Sequence, residues 1–374
     1  MLIKQKMAAA DNRASGFDYM RLVLALSVIS IHVVLIDYGD AYSIQFWNGW
    51  RRPFFAIVLP MFFSLSGFLV AGSLFRSRTL FSFAGLRVCR IVPALTFEVL
   101  LCAFILGPIF TTLPLSEYFT DKLFYRYFFN IIGHVQFLLP GVFASNPHPN
   151  VVNQQLWTIP WELRCYILIA AMSFAAVFRS KALFLVATLA FNALIFAWYG
   201  LPRPDDWVAV HGIILVEAFL AGIVVFVFSD KLPHTMWLFL ASLIATTALL
   251  LIPRGDYFVA FPAAYVTIYL GLLNPPRMHV VLSGDYSYGI YLYGFPIQQA
   301  VAYANGGSRS WYLDMLYVVP LTAMAAAASW WFVEKPALSL RKYLPGLEAT
   351  FLRKFKSGTR GRILQRRADA PDFS

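Results

Sequence analysis

Charge is the first thing this sequence lacks. Only 13% of its 374 residues are Asp, Glu, Lys or Arg, about half the share found in soluble domains. That leaves too little charged side chain to clothe a water-facing surface of this size. Acid is scarcer than base, with 19 Asp and Glu against 30 Lys and Arg. Cysteine is nearly absent. Cys89, Cys102 and Cys165 lie in or beside apolar stretches at no metal-ligand spacing. This excludes a disulfide framework and a thiolate metal site, and leaves them as small packing residues. No internal repeat, low-complexity tract or appended polar domain breaks the chain, so one domain is expected. The first apolar stretch carries Arg21 and His32 and has no small-residue cleavage site, so no signal peptide is expected either.

What the chain has in quantity is apolar length and aromatic rings, with 35 Phe, 19 Tyr and 10 Trp. Eleven apolar segments can be marked, at 20–37, 56–75, 91–111, 124–143, 161–178, 182–199, 210–228, 235–252, 258–273, 286–302 and 312–333. Roughly twenty such residues cross a bilayer core as a helix, so the fold class is an all-α polytopic membrane protein. Basic residues collect in cytoplasmic loops. Lys4, Lys6 and Arg13 therefore place the N-terminus inside, and Arg76, Arg78 and Arg87 fall on the same side after two crossings.

Segment 124–143 decides the rest. It contains Arg126, Asn130, His134 and Gln136 and ends at Pro140–Gly141. If it does not cross, then Arg179, Lys181, Lys231, Arg277 and the basic tail are also inside. If it does, every later loop inverts. The expectation is about ten transmembrane helices plus one interfacial or re-entrant segment, with 112–160 as the main extracytoplasmic region. The domain plan is a cytoplasmic N-terminus (1–19), a membrane domain (20–334) and a basic cytoplasmic tail (335–374). The tail carries ten Lys/Arg against Glu348, Asp369 and Asp372, a net charge of +7. A basic tail after the last span points to anionic lipid as partner. Nucleic acid is not expected, since no groove-reading or stacking module accompanies the charge.

Ionisable groups inside spans are costly and mark function by default. Arg21 and His32 are eleven residues apart, which returns to within about 20° of one helical face and separates them by roughly 16 Å along the axis. Asp18, three residues before Arg21, can pair with it. An imidazole in the outer half of a span suits a general base at neutral pH, although a packed histidine is the plain alternative. Glu162, in LWTIPWELRCY, is expected near the depth of His32, to orient the imidazole or bind hydroxyls; the plain alternatives are a pair with Arg164 or a helix N-terminal acid. Arg87 and Arg90 can project from one helical face and suit phosphate oxygens, with simple positive-inside topology as the alternative. Ser64, Ser66 and Gly67 mark a close helix approach. Tyr288, Tyr291 and Tyr293 line a late span and need hydroxyl partners. Glu98 and Glu217 lie in spans with no evident partner, and Glu334–Lys335–Pro336 reads as a helix stop followed by cationic anchors.

Together these segments resemble acyltransferase family 3, integral membrane enzymes that move acyl groups onto surface or secreted glycans. Arg21 and His32 match the family's arginine eleven positions before a histidine, and Arg87 and Arg90 match its Arg-x-x-Arg pattern. Trp157, Thr158, Ile159 and Glu162 match its Trp-Ser/Thr-Leu/Ile-x-x-Glu pattern. FFSLSGFLV, SYGIYLYGFP and FVEKP are likewise similar to family segments. Gly294 departs from it, standing where members often carry a second histidine.

The resemblance implies an O-acetyltransferase of the bacterial inner membrane with no tightly bound cofactor. Cytoplasmic acetyl-CoA, or another acyl-CoA, would be the donor and a surface or lipid-linked saccharide the acceptor. It assigns His32, Glu162 and Arg21 to catalysis, Arg87 and Arg90 to the donor, and Trp157, Tyr288 and Tyr291 to substrate. A proton-coupled transporter using His32 and Glu162 is the rival reading.

Overall fold

The computed structural model describes residues 1–77, 79–199, 210–306 and 310–356. Arg78 and the tail beyond Lys356, both used in the charge reading above, lie outside the described residues. The main helices are α1 (Gly16–Tyr38), α2 (Val58–Arg76), α3 (Leu80–Leu101), α4 (Ile159–Phe174), α5 (Lys181–Tyr199), α6 (Gly212–Val227), α7 (Met236–Leu251), α8 (Ala260–Gly271), α9 (Ser287–Ala304), α10 (Trp311–Ser329) and α11 (Leu344–Lys356). Among the described residues there is no strand, only three isolated bridges. Helices satisfy their own backbone groups, as a hydrocarbon solvent demands.

Five helical stretches are long and apolar enough to cross a membrane: Gly16–Tyr38, Gly49–Arg76, Leu80–Phe110, Lys181–Tyr199 and Trp311–Thr350. Gly212–Val227, Met236–Leu251 and Ala260–Gly271 are shorter apolar helices. The chain is an integral membrane protein.

The pair α2–α6 forms the spine. A methyl placed on Gly67 would lie 2.0 Å from the Phe219 carbonyl oxygen, and one on Gly222 would lie 2.1 Å from that of Ser64. Ser64 Oγ donates to the Ala218 carbonyl at 3.1 Å. Small residues let these backbones approach where lipid supplies no hydrophobic drive for association. Against this spine α8 packs on one side, while α9 runs beside α1, where Gln298 Nε2 donates to the Ile29 carbonyl at 2.7 Å.

Segment 124–143 is broken. Asp121 Oδ1 caps the short helix Lys122–Tyr127 by accepting from Leu123 N at 2.7 Å. A 3₁₀ turn, Phe128–Ile132, follows and ends at Gly133 with φ +79°. The chain then enters the bundle without regular structure until the 3₁₀ turn Gln154–Thr158. Its backbone groups there meet amide side chains instead of water. Gln299 Nε2 donates to the carbonyls of His148 at 2.9 Å and Val151 at 2.8 Å; in the reverse sense Gln155 Nε2, at the end of the segment, donates to the Leu292 carbonyl of α9 at 2.6 Å. Asn153 donates to buried Glu98, which also accepts from Cys102 Sγ at 3.3 Å. Glu98 thus has the partners that its sequence context did not reveal.

Several basic segments gather at the opposite end of the bundle. Ile3 N donates to the Leu232 carbonyl at 2.9 Å, Ser15 N to Asn274 Oδ1 at 2.9 Å, and Arg277 Nη2 to the Arg13 carbonyl at 2.5 Å. One expectation fails here. Glu334–Lys335–Pro336 is no helix stop, because helix continues to Thr350 through a π-turn at Trp330–Glu334. The wider turn tolerates Pro336, which has no N–H to donate. It also rotates Glu334 inward, where the residue is 2% exposed.

Candidate active site

A cavity of about 160 Å³ opens between α1, α2, α3, α4 and α9. Its polar wall is Arg21, Arg87, Arg90, Glu162, Tyr166, Tyr288 and Tyr291, and its apolar wall includes Leu59, Phe62, Leu69, Ile91 and Ile159. Six of the eight residues singled out for function therefore share one cavity, drawn from four helices.

At its basic end the charges form a hub. Asp285, just before α9, accepts from Arg90 Nη2 at 2.6 Å and from Arg21 Nη1 at 3.1 Å, and Ser287 Oγ donates to its second oxygen at 2.6 Å. Arg90 Nη1 also faces Glu334 Oε2 at 3.5 Å, and Asp18 stands 3.8 Å from Arg21 as the i,i+3 spacing predicts. Burial acts to raise the Asp285 carboxyl pKa, but the Arg90 and Arg21 guanidinium groups outweigh it and hold the group below the usual carboxylate range.

Arg87 is placed differently. Its Nη2 donates to Ser73 Oγ at 3.2 Å, its guanidinium lies 5.8 Å from the ring centroids of Phe83 and Tyr166, and its Nε is buried without a partner.

Glu162 accepts from Tyr166 OH, one turn along α4. Arg164 does not pair with it; that guanidinium lies 4.3 Å from the Trp161 ring centroid. Tyr288 OH donates to the Ile91 carbonyl at 3.2 Å beneath Arg90. Tyr291 OH donates to the Gln155 carbonyl at 2.6 Å and shares a 2.5 Å contact with Thr158 Oγ1. The Phe62 and Tyr291 rings meet edge to face, 6.1 Å apart.

Two predicted site residues stand apart from this wall. His32 is not among the lining residues; its ring packs edge-on against Phe295 of α9 at 5.2 Å. Trp157 packs into the α2–α4–α6 core instead. The expected depth of Glu162 needs correction as well. It lines the arginine cavity rather than standing beside His32, because the polar segment before α4 enters the bundle and α4 starts deep within it.

On the His32 side, sequence reasoning missed His148. Its ring lies 6.2 Å from Phe295, with Nδ1 3.1 Å from Asp40 Oδ2 and Nε2 2.7 Å from Gln154 Oε1. It is the only titratable side chain between Gly141 and Pro160, and that isolation was the available signal. At Gly294 even a methyl would come within 2.8 Å of Ile29 Cγ1, so the present packing leaves no room there for a second histidine.

Residues 15–334 match the model of acyltransferase family 3, an acyltransferase domain. The chain is 27% identical over 353 residues to a protein named O-acetyl transferase from Shigella phage Sf6, covering 88% of this chain and 97% of that one. It is 25% identical over 371 residues to nodulation protein 10 of Rhizobium leguminosarum bv. viciae, covering 90% and 98%. No solved structure matches.

Proposed function

Because this chain belongs to acyltransferase family 3 and is an O-acyltransferase, we propose that it moves an acetyl group from cytoplasmic acetyl-CoA to a hydroxyl of a surface or lipid-linked polysaccharide. In this reading the helices cross ten times, segment 124–143 stays on the outer side, and both termini are cytoplasmic. The membrane is the bacterial inner membrane. The observation that carries the reading is the cavity, which combines guanidinium groups, a carboxylate and an apolar wall in one space. Guanidinium groups suit donor phosphates, the apolar wall suits a thioester arm, and the end of the bundle that holds the arginines is the basic one.

The acceptor hydroxyl comes from the opposite end. Its oxygen attacks the thioester carbonyl carbon while His32 takes the hydroxyl proton; the C–S bond breaks and the thiolate leaves with coenzyme A. Transfer through a transient acyl-His32 followed by attack of the sugar, with Glu162 assisting, uses the same residues. Tyr288 and Tyr291 border the substrate path, and Trp157 supports the turn that carries Thr158. Phe62 and Tyr291 belong to the cavity wall, and His32 does not, so in this reading the side chains between cavity and imidazole part for the thioester to reach it.

Membranes containing the protein, supplied with acetyl-labelled coenzyme A, are expected to pass label to a glycan. His32→Ala should abolish that transfer. Solute uptake without transfer, or full transfer by the His32→Ala protein, would overturn the reading.

A further inference from the structure

Arg87 and Arg90 are three residues apart on one helix, yet their direct partners differ. Both terminal nitrogens of Arg90 face carboxylates, Asp285 at 2.6 Å and Glu334 at 3.5 Å. Through Asp285 it is also tied to Arg21. Four chain segments converge on this hub: α1, α3, the turn before α9 and the π-turn after α10. A phosphate brought to Arg90 would meet two anions already in place, and like charges at that distance in a poorly solvated cavity repel strongly. Arg87 has no carboxylate within ion-pair distance among the described residues. Its direct contacts are a hydroxyl and two aromatic faces, Glu162 shares its cavity wall beyond ion-pair distance, and its Nε lies buried without an acceptor. A half-buried guanidinium with an unmet Nε donor and no paired carboxylate is ready to receive an anion.

We infer that the two arginines have separate tasks. Arg87 is the cation that takes the donor's phosphate, while Asp285 is a positioning residue that locks Arg90 and Arg21 into the cavity wall. The inference rests on the donor reading given above and divides its labour. Asp285 was not evident from sequence motifs, although it is the only acid between Asp256 and Asp314.

The test compares two donors, acetyl-CoA and the phosphate-free S-acetylpantetheine, with purified protein in lipid nanodiscs, and adds thermal midpoints. Arg87→Ala should lower kcat/KM for acetyl-CoA by about tenfold to a hundredfold, through KM, the loss expected for a charge-assisted contact. Its loss with S-acetylpantetheine should be several-fold smaller, with the thermal midpoint held. Arg90→Ala and Asp285→Ala should lower the midpoint and penalise both donors alike. The conservative variant Asp285→Glu, which keeps a carboxylate for both Arg90 and Arg21, should recover part of the lost midpoint and of the S-acetylpantetheine activity.

Equal loss on both donors for Arg87→Ala would overturn the inference. So would a loss for Arg90→Ala confined to acetyl-CoA at an unchanged midpoint. If the wild-type protein uses neither donor, the proposed function itself fails, which is a distinct result.

Discussion

Glu162 and Asp285 are both carboxylates on the same cavity, and their partners give them different consequences. Glu162 receives a hydroxyl from Tyr166 and no guanidinium at ion-pair distance, whereas Asp285 is held by two arginines. Glu162→Gln preserves shape and removes charge. On the proposed function it should lower kcat by roughly a hundredfold, within the range of general acid–base assistance, with KM for acetyl-CoA little changed; unchanged kcat would remove Glu162 from the chemistry. Asp285 predicts a pH dependence. Its folded pKa lies below the unfolded one, so its contribution to stability is fully present above about pH 4, the ordinary Asp value, and is lost as pH falls further. The gap in thermal midpoint between wild type and Asp285→Asn should hold steady from neutrality to that point and narrow below it. The contact of Asp18 with Arg21 was legible from an i,i+3 spacing. The contact of Asp285 with Arg90 joins residues 195 positions apart, that of Glu334 spans a still longer stretch of chain, and no local spacing encodes either.

Among the elements, α2 and α6 carry the tightest contact. Ser64 and Gly67 were legible as a close-approach signal, because only small side chains permit it. Their partners on α6, Ala218, Phe219 and Gly222, emerge only from packing. Gly67→Leu would drive a side chain into the Phe219 carbonyl. A cost of about 3 kcal/mol or more is expected from overpacking a site with no slack, read as a fall in thermal midpoint and in folded yield. A normal midpoint would show that α6 can withdraw. The π-turn at Trp330–Glu334 is the instructive misreading. Glu-Lys-Pro after an apolar run has the composition of a helix end, but one widened turn absorbs the proline and points the acid at Arg90.

For the whole molecule, the proposed topology makes a direct prediction. A single cysteine introduced at exposed Glu117 and another at exposed Lys342 should react with an impermeant maleimide from opposite faces of sealed vesicles, and one at Asp11 should behave like Lys342. Labelling of positions 117 and 342 from one face would mean that 124–143 crosses after all.

Membrane residence, the helical class and the collection of basic segments at one end were determined by the sequence alone. Hydrocarbon requires long apolar runs with internally bonded backbone, and the cost of burying charge confines basic residues to the loops. These constraints act on each local stretch and can be read there. Only the tertiary structure decided that Glu162 lines the arginine cavity, which carboxylates occupy Arg90, and that His32 packs against Phe295 rather than on the cavity wall. Those features depend on how far the amide-bonded segment 133–158 enters the bundle and how closely the glycines let helices approach, and both are settled by contacts between distant parts of the chain.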